Sequence, residues 1–193
     1  MSFRIENKYI IDPTKIIFFK KWLNDKKFNI KYPKRRVTSL YLDNKNLVSY
    51  KDSIEGIVPR KKIRIRYYGE INSKTKYLLE KKISSIEGRY KVSKMISESK
   101  KDRILRYGLI DKEYGNCKLS KIISYNRSYY YLDNFRLTFD ENINFKKSIY
   151  SLNWQKIPIN LFEIKTNINT SEDNINLIIP FEKRRFSKYC ETF

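Results

Sequence analysis

The segment RKKIRIRYYG, residues 60–69, alternates basic and apolar side chains over the length of a whole strand. Because successive side chains of a β-strand point to opposite faces, a period of two predicts a strand that ends at Gly69 and has one apolar and one basic face. An ordinary half-exposed sheet alternates in the same way, so for a single strand a solvated outer face is the simpler interpretation. The basic face here consists of Arg60, Lys62, Arg64 and Arg66.

Four further segments repeat this alternation, with acids and bases on one face. A solvated face would more often carry Thr, Ser, Asn and Gln, so five such strands predict a charged lumen inside an apolar exterior. Burying charges is costly unless they are paired or meet a ligand of opposite sign, so an excess of bases implies an anionic guest. The further positions are Arg4, Glu6 and Lys8; Glu80 and Lys82; Arg136, Thr138 and Asp140; and Glu163 and Lys165.

The rest of the chain predicts more strands than helices. Strand patterns cover 3–11, 36–42, 60–68, 76–83, 89–92, 121–132, 135–140 and 160–166, and helix patterns cover 13–26, 44–54, 93–108 and 171–179. Asp12 followed by Pro13 is typical of a helix start. No glycine-rich phosphate loop, βαβ alternation or internal repeat is present in the sequence. We therefore expect one domain over residues 1–193, of α+β but mainly β class, built as a closed antiparallel barrel with helices packed outside.

The composition limits the classes of partner and of metal ion that the chain is expected to bind. Forty-two Lys and Arg against 21 Asp and Glu give a net charge of +21, which favours nucleic acid, polyphosphate, nucleotides or an acidic membrane surface. The chain has no histidine, so a metal would need carboxylate ligands and would be a hard cation such as Mg²⁺ or Mn²⁺. Cys117 and Cys190 lack the spacing of a zinc or redox motif. Without a signal-peptide pattern or an apolar run of membrane-span length, we expect a cytoplasmic location.

The charged positions supply candidate site residues. Arginine forks suit phosphate oxygens and lysines supply point charges, while one or two carboxylates with substrate phosphates are the usual ligands of Mg²⁺ and Mn²⁺. Glu163 is the best single metal-ligand candidate, with possible support from Glu6, Glu80 or Asp140, although each acid alone is more often a salt-bridge partner. The phosphate-binding candidates are Lys8, Lys62, Arg64, Arg66, Lys82, Arg127, Arg136, Lys165 and Lys188.

Nine segments, in order along the chain, resemble the catalytic domain of the vacuolar transporter chaperone (VTC) family, within the triphosphate tunnel metalloenzyme superfamily. They are ENKYIID (6–12), SLYLDN with LVSYKDSIEG (39–56), RKKIRIRYYG (60–69), YLLEKKIS (77–84), GRYKVS (88–93), SYNRSYY (124–130), RLTFDENI (136–143), FEIKT (162–166) and RFSKYC (185–190).

The resemblance implies an eight-stranded tunnel that binds a triphosphate, such as ATP, or polyphosphate together with Mn²⁺ or Mg²⁺. It implies transfer of the γ-phosphate of ATP onto a polyphosphate chain, in which Glu163 holds the metal. By position, the residues implied in catalysis are Arg64, Arg66, Arg127 and Lys82, with Lys8 and Lys188 as further phosphate ligands. Arg4 stands where other superfamily members have an acid, which disfavours a triphosphatase. The chain has no room for the membrane segments of eukaryotic complexes, so a separate membrane protein partner would have to move any product across a membrane.

Other functions stay open from the sequence. The same residues would serve a module that binds polyphosphate or nucleotide without turnover, or a triphosphatase that hydrolyses its substrate. Nucleic-acid binding suits the net charge and the 16 tyrosines, but it would not require carboxylates on the same faces as the bases, so it ranks below the tunnel.

Overall fold

The computed structural model of the chain describes residues 4–86, 88–167 and 179–193, without the side chains of Arg4, Ile5 and Asn167. The helix predicted over 171–179 lies, except for its last residue, outside the described residues. None of the described helices has the length and apolar character needed to cross a membrane.

Ten strands and three α-helices occupy the described residues. The strands are β1 (Arg4–Ile11), β2 (Asn29–Asp43), β3 (Arg60–Tyr68), β4 (Tyr77–Ser85), β5 (Gly88–Ile96), β6 (Leu109–Asp111), β7 (Gly115–Leu132), β8 (Phe135–Lys146), β9 (Gln155–Lys156) and β10 (Asn160–Asn167). The helices are α1 (Ile16–Asp25), α2 (Val48–Glu55) and α3 (Glu98–Tyr107), and single 3-10 turns cover Pro13–Lys15 and Cys190–Thr192. Contacts divide the chain into two compact units, and β2, β7, β8 and β9 contribute residues to both.

The first unit comprises Met1–Arg35, Tyr125–Ile143 and Lys156–Phe186. Its strands follow the order β1-β10-β8-β7, and both β1 and β8 pair antiparallel with β10. As predicted, the Asp12 side chain accepts a hydrogen bond from the Thr14 backbone N–H (2.8 Å) and starts the helical segment. Phe19 of α1 is fully buried, with ring centroids 4.6 Å from Phe139 and 5.2 Å from Phe162, so this helix covers the apolar face of the strands.

The second unit comprises Arg36–Ser124, Asn144–Gln155 and Ser187–Phe193. Its strands follow the order β7-β2-β3-β4-β5, and the short β6 pairs antiparallel with β7. The predicted apolar residues of β3, Ile63 and Ile65, are fully buried in a second core that also holds Ile104 of α3. Each unit therefore buries one face of its strands in a core of its own.

The bounds differ from the sequence-based expectation at several elements. The helix predicted over 93–108 is wrong in its first turn, because β5 continues to Ile96, where it still pairs with Tyr77 of β4. The helix predicted from Asn44 begins only at Val48, while Gly56 ends it in a left-handed conformation (φ 83°), near the predicted end. Strand β2 begins seven residues earlier than predicted and β7 six residues earlier, and the short β6 and β9 had no clear alternation.

The mainly β, antiparallel class with few helices is confirmed. Every register resolved between paired strands is antiparallel. Only β6 and β9 among the described strands are three residues long or shorter. The number of longer strands therefore agrees with the predicted eight, while their closure into a barrel stays a prediction.

Candidate functional site

The charged face of the second unit contains a row of three lysines on adjacent strands. Lys62 of β3 lies directly opposite Lys82 of β4, which lies directly opposite Lys91 of β5. Like charges at directly opposed positions of a sheet destabilise it. This arrangement, which we call the lysine row, therefore favours an anion bound across the three strands.

Next to the lysine row, one carboxylate contacts three cations. Glu80 is 1% exposed; its Oε2 accepts from Arg64 Nε at 2.8 Å, and its Oε1 accepts from Lys91 Nζ at 2.8 Å. Arg66 Nη1 lies 3.7 Å from Oε2. Burial alone would raise the pKa of Glu80, but the surrounding Arg64, Arg66 and Lys91 lower it to about 2. Glu80 is thus ionised throughout the neutral range and fixes the two arginines.

Tyr41 and Ser39 of β2 hold the same arginines from the other side. Arg64 Nη1 donates to the Tyr41 hydroxyl (3.0 Å), and Arg66 Nε donates to Ser39 Oγ (3.1 Å). Burial raises the pKa of Tyr41, but the charges of Arg64 and Arg66 outweigh it and lower the pKa to about 8. The planar forks of both arginines are therefore oriented before any ligand binds.

Lys62 is anchored by the C-terminal segment of the chain. Within the described residues its ammonium donates to a hydroxyl, Ser187 Oγ (2.7 Å), and to no carboxylate. Burial lowers the pKa of Lys62, and the charge of Lys82 lowers it further. Tyr189, two residues after Ser187, stacks on Tyr41 (4.9 Å between ring centroids), and its hydroxyl donates to the buried Asp43 (2.7 Å). The half-buried Lys188 is thus held between two anchored neighbours.

The charged face of the first unit is more nearly balanced. Lys165 Nζ lies 2.9 Å from Glu163 Oε1 and 3.6 Å from Glu6 Oε2, so one ammonium lies between two carboxylates. Burial lowers the pKa of Lys165, but Glu163 and Glu6 raise it above its ordinary value. Lys8 lies 3.7 Å from Glu6 and donates to the Phe186 carbonyl (2.9 Å).

Arg127 forms a bidentate pair with a fully buried carboxylate. Its Nε donates to Asp140 Oδ1 (2.5 Å) and its Nη2 donates to Oδ2 (2.7 Å). Burial alone would lower the pKa of Arg127, yet the paired Asp140 keeps it well above the usual value. Both oxygens of Asp140 thus accept from the arginine and orient it, and a role for Asp140 in metal support stays a prediction.

The surroundings of Glu163 fit a hard divalent cation or its water shell. The buried Thr138 Oγ1 has no hydrogen-bond partner among the described residues, and Thr138 is directly opposite Glu163 across β8 and β10. An unsatisfied buried hydroxyl is costly, so this atom suits a bound group at Glu163. No cluster of three or more acidic or cysteine side chains that could hold a metal occurs in the described parts of the chain. A metal ion held by Glu163 of β10 and Glu6 of β1 would therefore need phosphate or water oxygens to complete its coordination.

The structure thus brings the predicted residues together in two clusters, one in each unit. The second unit holds Lys62, Arg64, Arg66, Glu80, Lys82 and Lys188, and the first unit holds Glu6, Lys8, Arg127, Asp140, Glu163 and Lys165. Arg136 is the exception: it is exposed, opposite Lys165. The buried or half-buried state of Glu80, Arg66, Asp140 and Glu163 excludes a fully solvated charged face.

Sequence reasoning missed several residues that complete these clusters. They are Ser39, Tyr41, Lys91, Ser187 and Tyr189. Lys91 stands at an alternate position of the predicted strand 89–92, so it had a usable signal. The tyrosines and serines had none, because neutral side chains on a strand are typical of any sheet.

Known structures with the same fold come from several organisms. A putative adenylate cyclase from Bacillus halodurans is 13% identical, with a TM-score of 0.62 over 100% of this chain and 97% of that chain. A putative adenylate cyclase from Vibrio parahaemolyticus is 11% identical, with a TM-score of 0.59 over 100% of this chain and 99% of that chain. A putative adenylyl cyclase from Hippeastrum is described as revealing a dominant triphosphatase activity. It is 14% identical, with a TM-score of 0.59 over 100% of this chain and 96% of that chain. Identities this low establish a shared fold alone.

A search of curated proteins finds no match. The family model described as "VTC domain" matches residues 3–193. This range includes both charged clusters and all nine segments that resemble the family. The predicted resemblance is therefore confirmed, and the chain belongs to the VTC domain family.

Proposed function

We propose that this VTC domain is a metal-dependent phosphotransferase that moves the γ-phosphate of ATP onto a polyphosphate chain inside a basic tunnel. The single observation that supports it most is the lysine row of the second unit, Lys62, Lys82 and Lys91. An oligophosphate carries negative charge at regular intervals, so it would add negative charge along the whole row, at one end of which Lys91 already donates to Glu80. A protein that bound no polyanion would gain nothing from this costly arrangement.

The arginines supply the orientation that phosphoryl transfer requires. In this reaction the protein contributes positioning and charge neutralisation more than covalent chemistry. Arg64 and Arg66 are held in place by Glu80, Tyr41 and Ser39, and a guanidinium offers five N–H donors in a planar fork that suits phosphate oxygens. In the proposed reaction a terminal oxygen of the polyphosphate attacks the γ-phosphorus, and the bond to ADP breaks.

Glu163, with Glu6, would hold the Mn²⁺ or Mg²⁺ ion. When bound, such an ion neutralises phosphate charge and orients the phosphates for in-line attack. Arg127, which Asp140 orients, and Lys8 are further phosphate ligands in this proposal. Thr138 would donate its hydroxyl hydrogen to a phosphate oxygen or accept a hydrogen bond from water.

The test incubates the full chain with ATP and Mn²⁺ and follows chain growth by gel electrophoresis and ADP release. Wild-type protein is expected to form polymer. Arg64→Ala, which removes a phosphate ligand, and Glu163→Gln, which removes the proposed metal ligand, are each expected to reduce the rate by about a hundredfold or more. Glu70→Gln, an exposed acid of the second unit, is the matched control. Polymer formation by Arg64→Ala at the wild-type rate would refute the assignment.

A second candidate is a triphosphatase, favoured by the triphosphatase activity described for the Hippeastrum protein of the same fold. It would release phosphate from tripolyphosphate or ATP in the same assay without chain growth. Arg4 in place of an acid disfavours it, because one carboxylate near the metal would be missing. Binding of tripolyphosphate with neither product would instead identify a non-catalytic module.

A further inference from the structure

An exposed apolar loop follows β8 in the second unit. The loop, residues 147–154, contains Ile149, Tyr150, Leu152 and Trp154, all of them exposed. Leu152 is 92% exposed and Tyr150 is 86% exposed. Single exposed apolar side chains are ordinary, but four within six residues of sequence are an unusual concentration.

The side chain of Lys146 contacts the backbone and the Trp154 ring of the loop. Lys146 Nζ donates to the carbonyls of Ile149 (3.2 Å) and Ser151 (2.9 Å), and it lies 5.1 Å from the centre of the Trp154 ring. These contacts satisfy backbone acceptors of the loop from inside. Tyr150 and Leu152, which lie between the contacted residues along the chain, have exposed side chains.

The charged residues along the segment that carries the loop have one sign. No Asp or Glu occurs between Glu141 and Glu163, whereas Lys146, Lys147 and Lys156 do occur there. Lys147 is exposed beside the apolar side chains. A second copy of this chain would bring like charges together at the same surface, so charge disfavours self-association through the loop.

We propose that the 147–154 loop docks the protein on an anionic lipid surface. Tyr and Trp side chains partition to the headgroup level of a bilayer, where their rings are buried and their polar atoms stay wet. Leu152 would enter the acyl boundary, and Lys147 would contact lipid phosphates. A soluble polyphosphate would satisfy the lysines but would leave all four apolar side chains in water. The loop lies outside both charged clusters, so this inference is independent of the proposed reaction.

The test is sedimentation of the full chain with vesicles of phosphatidylcholine, with or without phosphatidylglycerol, in the presence of saturating tripolyphosphate. Tripolyphosphate competes with lipid phosphates for basic side chains, and the comparison of loop variants with wild type under the same conditions reports on the loop whether or not the two clusters bind it. Wild-type protein is expected to bind the anionic vesicles. Tyr150→Ser/Leu152→Ser is expected to lose about tenfold or more in affinity, since each side chain gives up apolar burial. Lys147→Ala is expected to lose about fivefold, and only on anionic vesicles.

The matched control is Ile17→Ser/Phe18→Ser, which removes two exposed apolar side chains of α1 (83% and 52% exposed) and should bind as wild type. Trp154 provides a second readout, because Trp22 is buried and a blue shift on vesicle addition would report the loop. Unchanged lipid binding by Tyr150→Ser/Leu152→Ser would overturn the proposal. A wild-type dimer, detected without lipid and lost in the same variant, would also overturn it, because the loop would then bind a second copy.

Discussion

Replacing Glu80 by Gln removes a buried charge that contacts Arg64, Arg66 and Lys91, with almost no change in volume. The side chain is 1% exposed, so water does not take over the role of the lost carboxylate. Its pKa falls from an ordinary 4.5 to about 2 in the folded protein. At about 1.4 kcal/mol per pKa unit, the ionised form contributes roughly 3 kcal/mol to the free energy of unfolding. We therefore expect Glu80→Gln to lose about 3 kcal/mol at pH 7, in line with the cost of breaking a buried ion pair.

The same pKa fixes how this loss depends on pH. A carboxyl group whose pKa is depressed by folding contributes its full stability above its unfolded pKa and loses it as the pH falls towards the folded value. The difference between wild type and Glu80→Gln should thus be constant from pH 7 to about 5 and shrink between about pH 4.5 and 2. Urea unfolding, followed by circular dichroism at several pH values in this range, measures it.

Glu70→Gln provides the control, because Glu70 is 80% exposed and pairs with Arg36 at the surface (3.2 Å). It makes the same change of charge and should cost less than about 1 kcal/mol. Tripolyphosphate should restore part of the stability of Glu80→Gln, since it supplies negative charge to the same cations. A Glu80→Gln protein as stable as wild type at pH 7, or a loss that stays constant down to pH 3, would refute the reasoning.

Three further predictions concern single residues of the clusters. Tripolyphosphate affinity should fall as the pH rises through about 8, because ionised Tyr41 neutralises Arg64 while Glu80 is already charged; isothermal titration of Tyr41→Phe should show a smaller decrease. Lys62→Met should raise the free energy of unfolding by up to about 1 kcal/mol, by relieving repulsion in the lysine row, and should weaken tripolyphosphate binding about tenfold; a variant that loses both stability and affinity would contradict this. Asp140→Leu should cost about 3 kcal/mol by leaving Arg127 unpaired, whereas Arg127→Met/Asp140→Leu should cost less than the sum of the single changes in urea unfolding; additive losses would mean that the pair is not coupled.

Alternation in the sequence was enough to predict the face of the charged side chains in the two clusters. It placed Arg64, Arg66, Glu80 and Glu163 correctly, because a period of two depends only on local backbone geometry. Lys61, on the apolar face of β3, departs from this pattern. It is buried there because its ammonium donates a hydrogen bond to Asp111 Oδ1 (2.8 Å), a pairing that no local pattern reveals.

Alternation could not predict which residues lie side by side. Sliding one strand by two residues keeps every side chain on its face but changes all its neighbours. The contact of Glu80 with Lys91 and the opposition of Lys62, Lys82 and Lys91 depend on the registers of β3, β4 and β5. The same pairing explains the wrong start of the predicted helix 93–108, since hydrogen bonds to β4 keep residues 93–96 extended.

The two clusters differ in how their charge is balanced, and this difference bears on the proposed reaction. In the first unit, Lys165 and Arg127 are each matched by carboxylates, so a cation at Glu163 would have to compete with the Lys165 ammonium. In the second unit, three cations surround Glu80, and Lys62 has only a hydroxyl partner within the described residues. An oligophosphate would therefore bind most favourably to the cations of the second unit. A divalent ion would bind favourably to Glu163 only if phosphate drew the Lys165 ammonium away from that carboxylate. Metal affinity should consequently rise when tripolyphosphate is present, as reciprocal linkage between the two ligands requires.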